Sequence, residues 1–240
     1  MTYPDLPFFI SSNVCDSEII LTEAESFHAA KVLRLHSGDK INVTDGNANY
    51  ALAEITNIDA RKCVAVPLAL HTCVAKHNYN LHLAISPLRN MDRLEWMIEK
   101  AVEMGIDSFS LVACSRTVKK NVNIARLQNI IISACKQSQK VSFPKINSLV
   151  SYNSFIESLT GKSKLIAHCI SDVPRQSYRS YIDKHDDVTI LIGPEGDFSL
   201  NEIEQATSAG FESVHFGGAR LRTETAGLLA CSMLYARYEV

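Results

Sequence analysis

The stretch Leu191–Ala230, LIGPEGDFSLNEIEQATSAGFESVHFGGARLRTETAGLLA, decides how this chain is read. It emerges from an apolar, β-branched run, VTILI (188–192), which reads as a buried strand. The chain turns at Gly193–Pro194, and Glu195 and Gly196 follow. Ser199 with Glu202 three residues on forms a capping-box pattern, which predicts a helix over Ser199–Ala209. The arrangement then recurs. SVHF (213–216) reads as a strand, Gly217–Gly218 turn the chain, and Thr223 or Thr225 stands ready to cap a last helix running from about Glu224 to Tyr238. In a parallel sheet, ligands lie in the crevice beyond the carboxyl ends of the strands. Glycine lets backbone approach a ligand closely. Two such turns in succession predict a ligand crevice, although either alone is also ordinary strand-to-helix punctuation. Arg220 and Arg222 precede a helix, where its dipole disfavours cations unless an anion meets them. That anion is a ligand carboxylate, Glu195, Glu224 or an RNA phosphate, and an intramolecular ion pair is the plain alternative.

Upstream, strands and helices alternate. LHLAIS (81–86), FSLVA (109–113) and KLIAHCI (164–170) read as strands, and Leu94–Met104 and Val122–Lys140 as helices. The pattern predicts an α/β domain with a mostly parallel sheet covered on both faces. The first seventy or so residues differ. KINVTD (40–45), YALAEITNI (50–58) and RKCVAVPLAL (61–70) are short strand-like runs with turn chemistry between them. A short helix precedes them, with Ala24, Phe27, Ala30 and Val32–Leu33 apolar and Thr22 with Glu25 as a capping-box pattern. A small β-barrel with one helix fits. The polar HTCVAKHNYN (71–80) reads as a linker, so the domains are expected at 1–72 and 73–240.

The 240 residues are 46% hydrophobic and 21% charged, which is the composition of a folded globular chain rather than a disordered one. A net charge of -2 argues against a wholly basic nucleic-acid binder but leaves room for a local basic face. The seven cysteines are widely spaced, without C-x-x-C, so no disulfide framework and no metal site is expected. The N-terminus lacks a signal-peptide pattern and no apolar run approaches membrane-span length, so a cytoplasmic protein without membrane contact is expected. Neither G-x-G-x-x-G, nor a Walker loop, nor G-x-S-x-G, nor H-E-x-x-H occurs, which lowers the weight of the usual nucleotide, hydrolase and metalloprotease chemistries.

The C-terminal stretch closely resembles the signature of the RsmE family, enzymes that methylate uracil N3 in small-subunit (16S) ribosomal RNA. DRLEWMIEKAVEMGI (92–106), CSRTV (114–118) and HAAKVLRLHSGDKINVTDG (28–46) resemble the family's first catalytic-domain helix, the following strand end and its PUA-like RNA-binding barrel. The resemblance implies a SPOUT-class fold with a C-terminal trefoil knot, S-adenosyl-L-methionine as cofactor, a homodimer, and ribosomal RNA or the 30S particle as partner. It implies a cofactor site at Ile192, Phe216 and Leu221 around the adenine, with the backbone of Gly193, Pro194, Glu195, Gly196, Gly217, Arg222 and Thr223. His168 is a further candidate, although a satisfied core histidine is its plain reading. A cation near the target base would favour the N3 anion, which makes Arg222 and Arg116 the candidates for activation and Glu195 the candidate base. Arg34, Arg89, Arg93, Lys100, Arg116, Lys136 and Lys140 are candidate phosphate ligands, each alone also readable as a solvated charge. The rivals are a SPOUT enzyme with another base or a ribose as target, a non-catalytic RNA-binding protein, and a nucleotide-dependent α/β enzyme.

Overall fold

The computed structural model describes residues 4–72, 77–160 and 163–238. Residues 73–76 of the expected linker, Cys73 among them, lie outside the described residues. The chain divides into two compact units, Met1–Lys76 with Cys135–Phe143, and His77–Ala134 with Pro144–Val240.

The first unit is a five-stranded sheet. Its strands are β1 (Phe8–Ile10), β2 (Ile19–Ile20), β3 (Lys40–Thr44), β4 (Tyr50–Ile58) and β5 (Cys63–His71), in the order β1-β3-β4-β5-β2. β1 joins β3 in parallel and the other pairs are antiparallel. Alternate residues of β3 and β4, such as Ile41, Val43, Ala53 and Ile55, point into a core with Phe9 and Ile19. Irregularities at Leu52/Ala53 and Ile55/Asn57 add local twist to the β4–β5 ribbon.

Helix α1 (Glu23–Phe27) begins where expected, with the Thr22 side chain accepting from the Glu25 amide, and continues as a π-helical stretch at His28–Val32. Its buried side is not the apolar one that the sequence suggests. The small residues Ser26 and Ala29 are buried, and Ser26 Oγ accepts from the Cys63 amide at 2.8 Å, so the helix backbone lies close to β5. Phe27, Val32 and Leu33 remain exposed.

The Cys135–Phe143 segment completes this unit. Thr44 Oγ1 donates to the Val141 carbonyl at 3.1 Å, and Val141 packs with Phe8 and Tyr50. The Phe143 amide donates to the Gly46 carbonyl at 2.8 Å. Gly46 holds φ +75° in the β3–β4 turn, and a Cβ there would lie 2.6 Å from the Phe143 ring.

The second unit carries seven parallel strands: β6 (Asn80–Ile85), β7 (Ser108–Ala113), β8 (Lys145–Ser151), β9 (Lys164–Ala167), β10 (Gln176–Ser177), β11 (Asp187–Ile192) and β12 (Glu212–His215). Their order is β10-β12-β9-β11-β6-β7-β8. Its helices are α2 (Met91–Glu103), α3 (Ile124–Gln137, whose last three residues belong to the first unit), α4 (Tyr152–Ser158), α5 (Tyr178–Ile182), α6 (Leu200–Ser208) and α7 (Thr223–Tyr238). Side-chain alternation along β6 separates the faces. Leu83 and Ile85 meet α2 and α7 at Met97 and Gly227, whereas Ala84 joins Phe155, Ile203 and Ala206 of α4 and α6. β9 stops at Ala167, three residues before the expected end, which releases His168–Ile170 into a loop. Both faces are thus covered, and the carboxyl ends of β9, β11 and β12 stay open for a site.

Replacing Gly46 by alanine combines a left-handed backbone with a clash against Phe143. The expected loss is roughly 2–3 kcal/mol of stability, read by urea denaturation as a lower midpoint. An unchanged midpoint would refute the tight contact.

Candidate functional site

A cavity of about 670 Å³ opens at the carboxyl ends of β9, β11 and β12. Residues 167–171, 192–197, 214–217 and 219–224 line it, with Arg93, Arg175 and Ala226. Each stretch follows or ends a neighbouring parallel strand, so the sheet order itself brings the loops together. Gly196 and Gly217 hold φ values of +102° and +114°, and a Cβ on Gly193 would lie 2.9 Å from the buried Phe198 ring.

The loop after β11 is tied down from several sides. Thr223 Oγ1, at the start of α7, donates to the Gly193 carbonyl at 3.1 Å and so ties this helix to the loop. Arg116 Nη1 donates to the Gly196 carbonyl at 2.6 Å and to the Phe198 carbonyl at 3.3 Å. Asp197 accepts from the Cys169 amide at 2.7 Å and from the Phe198 amide at 2.8 Å. The expected capping box is present, and its Glu202 does more than cap. Its carboxylate accepts from the Ser199 amide at 2.8 Å and hydroxyl at 2.9 Å, and from the Ser115 amide at 2.7 Å and hydroxyl at 2.8 Å. Burial alone would raise the Glu202 pKa, but these hydrogen bonds outweigh it and hold the group below its ordinary value. Thr117 secures the Ser115 loop from behind, accepting from the Cys114 amide at 2.8 Å and meeting Ser86 Oγ at 2.6 Å.

His168 is buried, as its plain reading expects, but it is not satisfied. Neither ring nitrogen has a hydrogen-bond partner among the described residues. Burial lowers its pKa, Asp197 opposes that and Arg175 adds to it, so the neutral form of the ring is favoured. An unpaired buried polar group costs about 1–3 kcal/mol, which singles this residue out against the rest of the core.

All eleven residues read from the sequence as cofactor contacts line the cavity. The three catalytic candidates differ from one another. Arg222 lines the cavity, is exposed and forms no ion pair among the described residues. Glu195 also lines it, 3.9 Å from Arg89 Nε. Arg116 lies behind the loop, holding its carbonyls. Of the candidate phosphate ligands, Arg93 lies in the cavity wall 3.5 Å from Glu224. Lys100 is paired with Glu99 at 2.7 Å and Glu103 at 2.8 Å, and in the first unit Lys136 is paired with Glu25 at 2.7 Å. Arg34 is exposed and Lys140 half-buried. Sequence reasoning missed Asp197 and Arg175. The acidic residue directly after the GPEG turn was the only signal for the first, and nothing marked the second.

Residues 75–235 match the model of an RNA methyltransferase domain, and residues 21–68 that of an RNA methyltransferase PUA domain. The chain is 28% identical over 231 residues to ribosomal RNA small subunit methyltransferase E 2 of Borreliella burgdorferi, covering 92% of each. A crystal structure described as a probable rRNA-methyltransferase from Porphyromonas gingivalis superposes with TM-score 0.86 at 34% identity, over 96% of this chain and 98% of that one. A Neisseria gonorrhoeae ribosomal RNA small subunit methyltransferase E, bound to S-adenosyl methionine, superposes with TM-score 0.84 at 26% identity, over 97% of this chain and 98% of that one.

The Glu202 clamp can be checked without any ligand. A carboxylate whose folded pKa is depressed adds stability above its unfolded pKa and loses it as pH falls through the folded value. Glu202→Gln is therefore expected to cost about 1–3 kcal/mol at pH 7, and the gap to the unsubstituted protein should close below about pH 4. Thermal melts from pH 7 to pH 3 measure it, and a gap independent of pH would contradict the assignment.

Proposed function

This chain belongs to the ribosomal RNA small subunit methyltransferase E family, and from that premise we propose that it transfers a methyl group from S-adenosyl-L-methionine to uracil N3 of one uridine in small-subunit ribosomal RNA. The observation that carries the reading is the cavity at the strand ends, where the loops after β9, β11 and β12 converge. The residues fit such a cofactor. Backbone of residues 193–196 and 217–222 offers peptide donors and acceptors, Ile192, Phe216 and Leu221 offer apolar surface, and the glycines leave room for close approach. When bound, the cofactor supplies an electrophilic methyl on a sulfonium, whose sulfur departs with the carbon–sulfur electron pair as a neutral thioether.

The remaining task for the protein is to orient the base and favour the N3 anion, its proton passing to solvent. Arg222 is the candidate for this, because its guanidinium is in the cavity and carries no carboxylate partner among the described residues. Arg116 is spent on loop carbonyls and acts by shaping the site, and Glu195, which faces Arg89, stays the second candidate, as a base. Uracil N3 is paired in a duplex, so the base must be unpaired or flipped.

The PUA domain would hold flanking RNA, with exposed Phe27, Val32 and Leu33 beside Lys31 and Arg34 as its contact surface and Lys140 as a further phosphate ligand. Arg89, Arg93, Lys100 and Lys136 would have to leave carboxylate partners to bind phosphate. The same reading includes the trefoil knot, a domain division at 72/73, a cytoplasmic location and a homodimer. The half-buried Leu228, Leu229 and Met233 of α7 would serve the last of these. No helix among the described residues is long and apolar enough to cross a membrane.

Methylation of small-subunit RNA, free and as assembled particle, followed by mass mapping, tests the target. Arg222→Ala is expected to cut turnover by about 100-fold or more while S-adenosylhomocysteine affinity, read by calorimetry, changes only about threefold. A mark on a ribose or only on transfer RNA would overturn the N3 assignment, and folded protein that binds no S-adenosylhomocysteine would overturn the enzyme.

A further inference from the structure

Three carboxylates line the cavity, and two of them face arginines: Glu195 is 3.9 Å from Arg89 and Glu224 is 3.5 Å from Arg93. The third, Asp197, forms no ion pair among the described residues. Its oxygens are fixed instead by two backbone donors, the Cys169 amide at 2.7 Å and the Phe198 amide at 2.8 Å. Those bonds orient the carboxylate without neutralising its charge. Asp197 also holds φ +68°, where glycine would be under less strain. The rest of the charged wall is cationic, with Arg93, Arg175, Arg220 and Arg222.

A positively charged ligand entering a wall with four arginines needs an anion, and Asp197 is the one that the wall leaves uncompensated. We propose that Asp197 is the counter-charge for the sulfonium of the methyl donor, so that the site holds the charged donor more tightly than the neutral thioether left after transfer. The inference rests on the methyltransferase reading above. It gives the site a direction. Loss of the methyl group removes the cation and with it the attraction to Asp197, so transfer itself loosens the product. A group that stabilises the cation in the ground state lowers KM for the donor without speeding the chemical step. Asp197 is therefore a binding residue and Arg222 remains the candidate for activation.

Calorimetry on the full chain, with S-adenosylmethionine and S-adenosylhomocysteine titrated separately, tests this. Asp197→Asn removes the charge and keeps one of the two acceptors, for the Cys169 amide, while losing the bond from the Phe198 amide. It is expected to weaken S-adenosylmethionine about five- to tenfold, leave S-adenosylhomocysteine within about twofold, and raise KM for the donor with kcat nearly unchanged. Asp197→Gly suits the φ of +68° and should shift the ratio of the two affinities in the same sense, which keeps the test open if the asparagine variant folds poorly. Equal weakening of both ligands would reduce Asp197 to a loop tether and overturn the proposal, as would no change in either. Those results leave the methyltransferase reading standing. Unsubstituted protein that binds neither ligand would remove both.

Discussion

The site depends on how the peptide backbone of residues 193–198 is held. A loop that offers its own N–H and C=O groups to a ligand cannot also satisfy them in a sheet or helix, so it must be fixed from outside. Here side chains do this, most of them from other segments. Thr223 and Arg116 take carbonyls, Asp197 fastens the loop to the Cys169 amide, and Glu202 joins the following helix to the Ser115 loop. Removing any of these would leave the sheet intact and the crevice less defined. A single carboxylate that accepts from Ser115 and Ser199 together is the strongest of the ties, because charge-assisted hydrogen bonds in a buried setting are stronger than neutral ones.

Much of this architecture was legible in the residues. The run at 50–58 is a strand over that whole span, and Ser199 with Glu202 makes the capping box its spacing promises. These are local signals, set by period and by cap chemistry. Several of the elements that escaped notice lack them, although α4 was missed despite its Ser151 cap. β8 is mostly exposed on both faces and so has no apolar alternation, and β10 with α5 spans only seven residues between Gln176 and Ile182. In the site, the loops could be picked out because glycines and charges cluster in them, and the cofactor could be named only through family likeness. The ties between distant segments could not be read at all. Nothing in the spacing of Thr223 and Gly193, or of Arg116 and Gly196, says that a fold will bring them together.

The basic residues show the same divide. A sequence reports that a lysine is present but not what it is paired with. Lys136 lies against Glu25 and near the Phe9 ring, and Lys100 sits between Glu99 and Glu103. Nucleic-acid affinity built on such side chains depends on exchanging one anion for another. The net charge of -2 fits a protein that makes contact through a few well-placed cations rather than a field over its whole surface.

The closing contacts of the first unit have a consequence for how the chain is made. Thr44 bonds to Val141, and Gly46 is covered by Phe143, partners almost a hundred residues further along. A ribosome releases the chain from its N-terminus, so residues 4–72 are exposed well before their last packing partner exists. During that interval the β3–β4 turn and the side of Phe8 and Tyr50 face water. The two units therefore cannot mature one after the other in the order of the sequence. Part of the second must be synthesised before the first can close, a long-range contact of the kind that slows folding. A fragment ending at residue 72 would inherit that unfinished surface permanently.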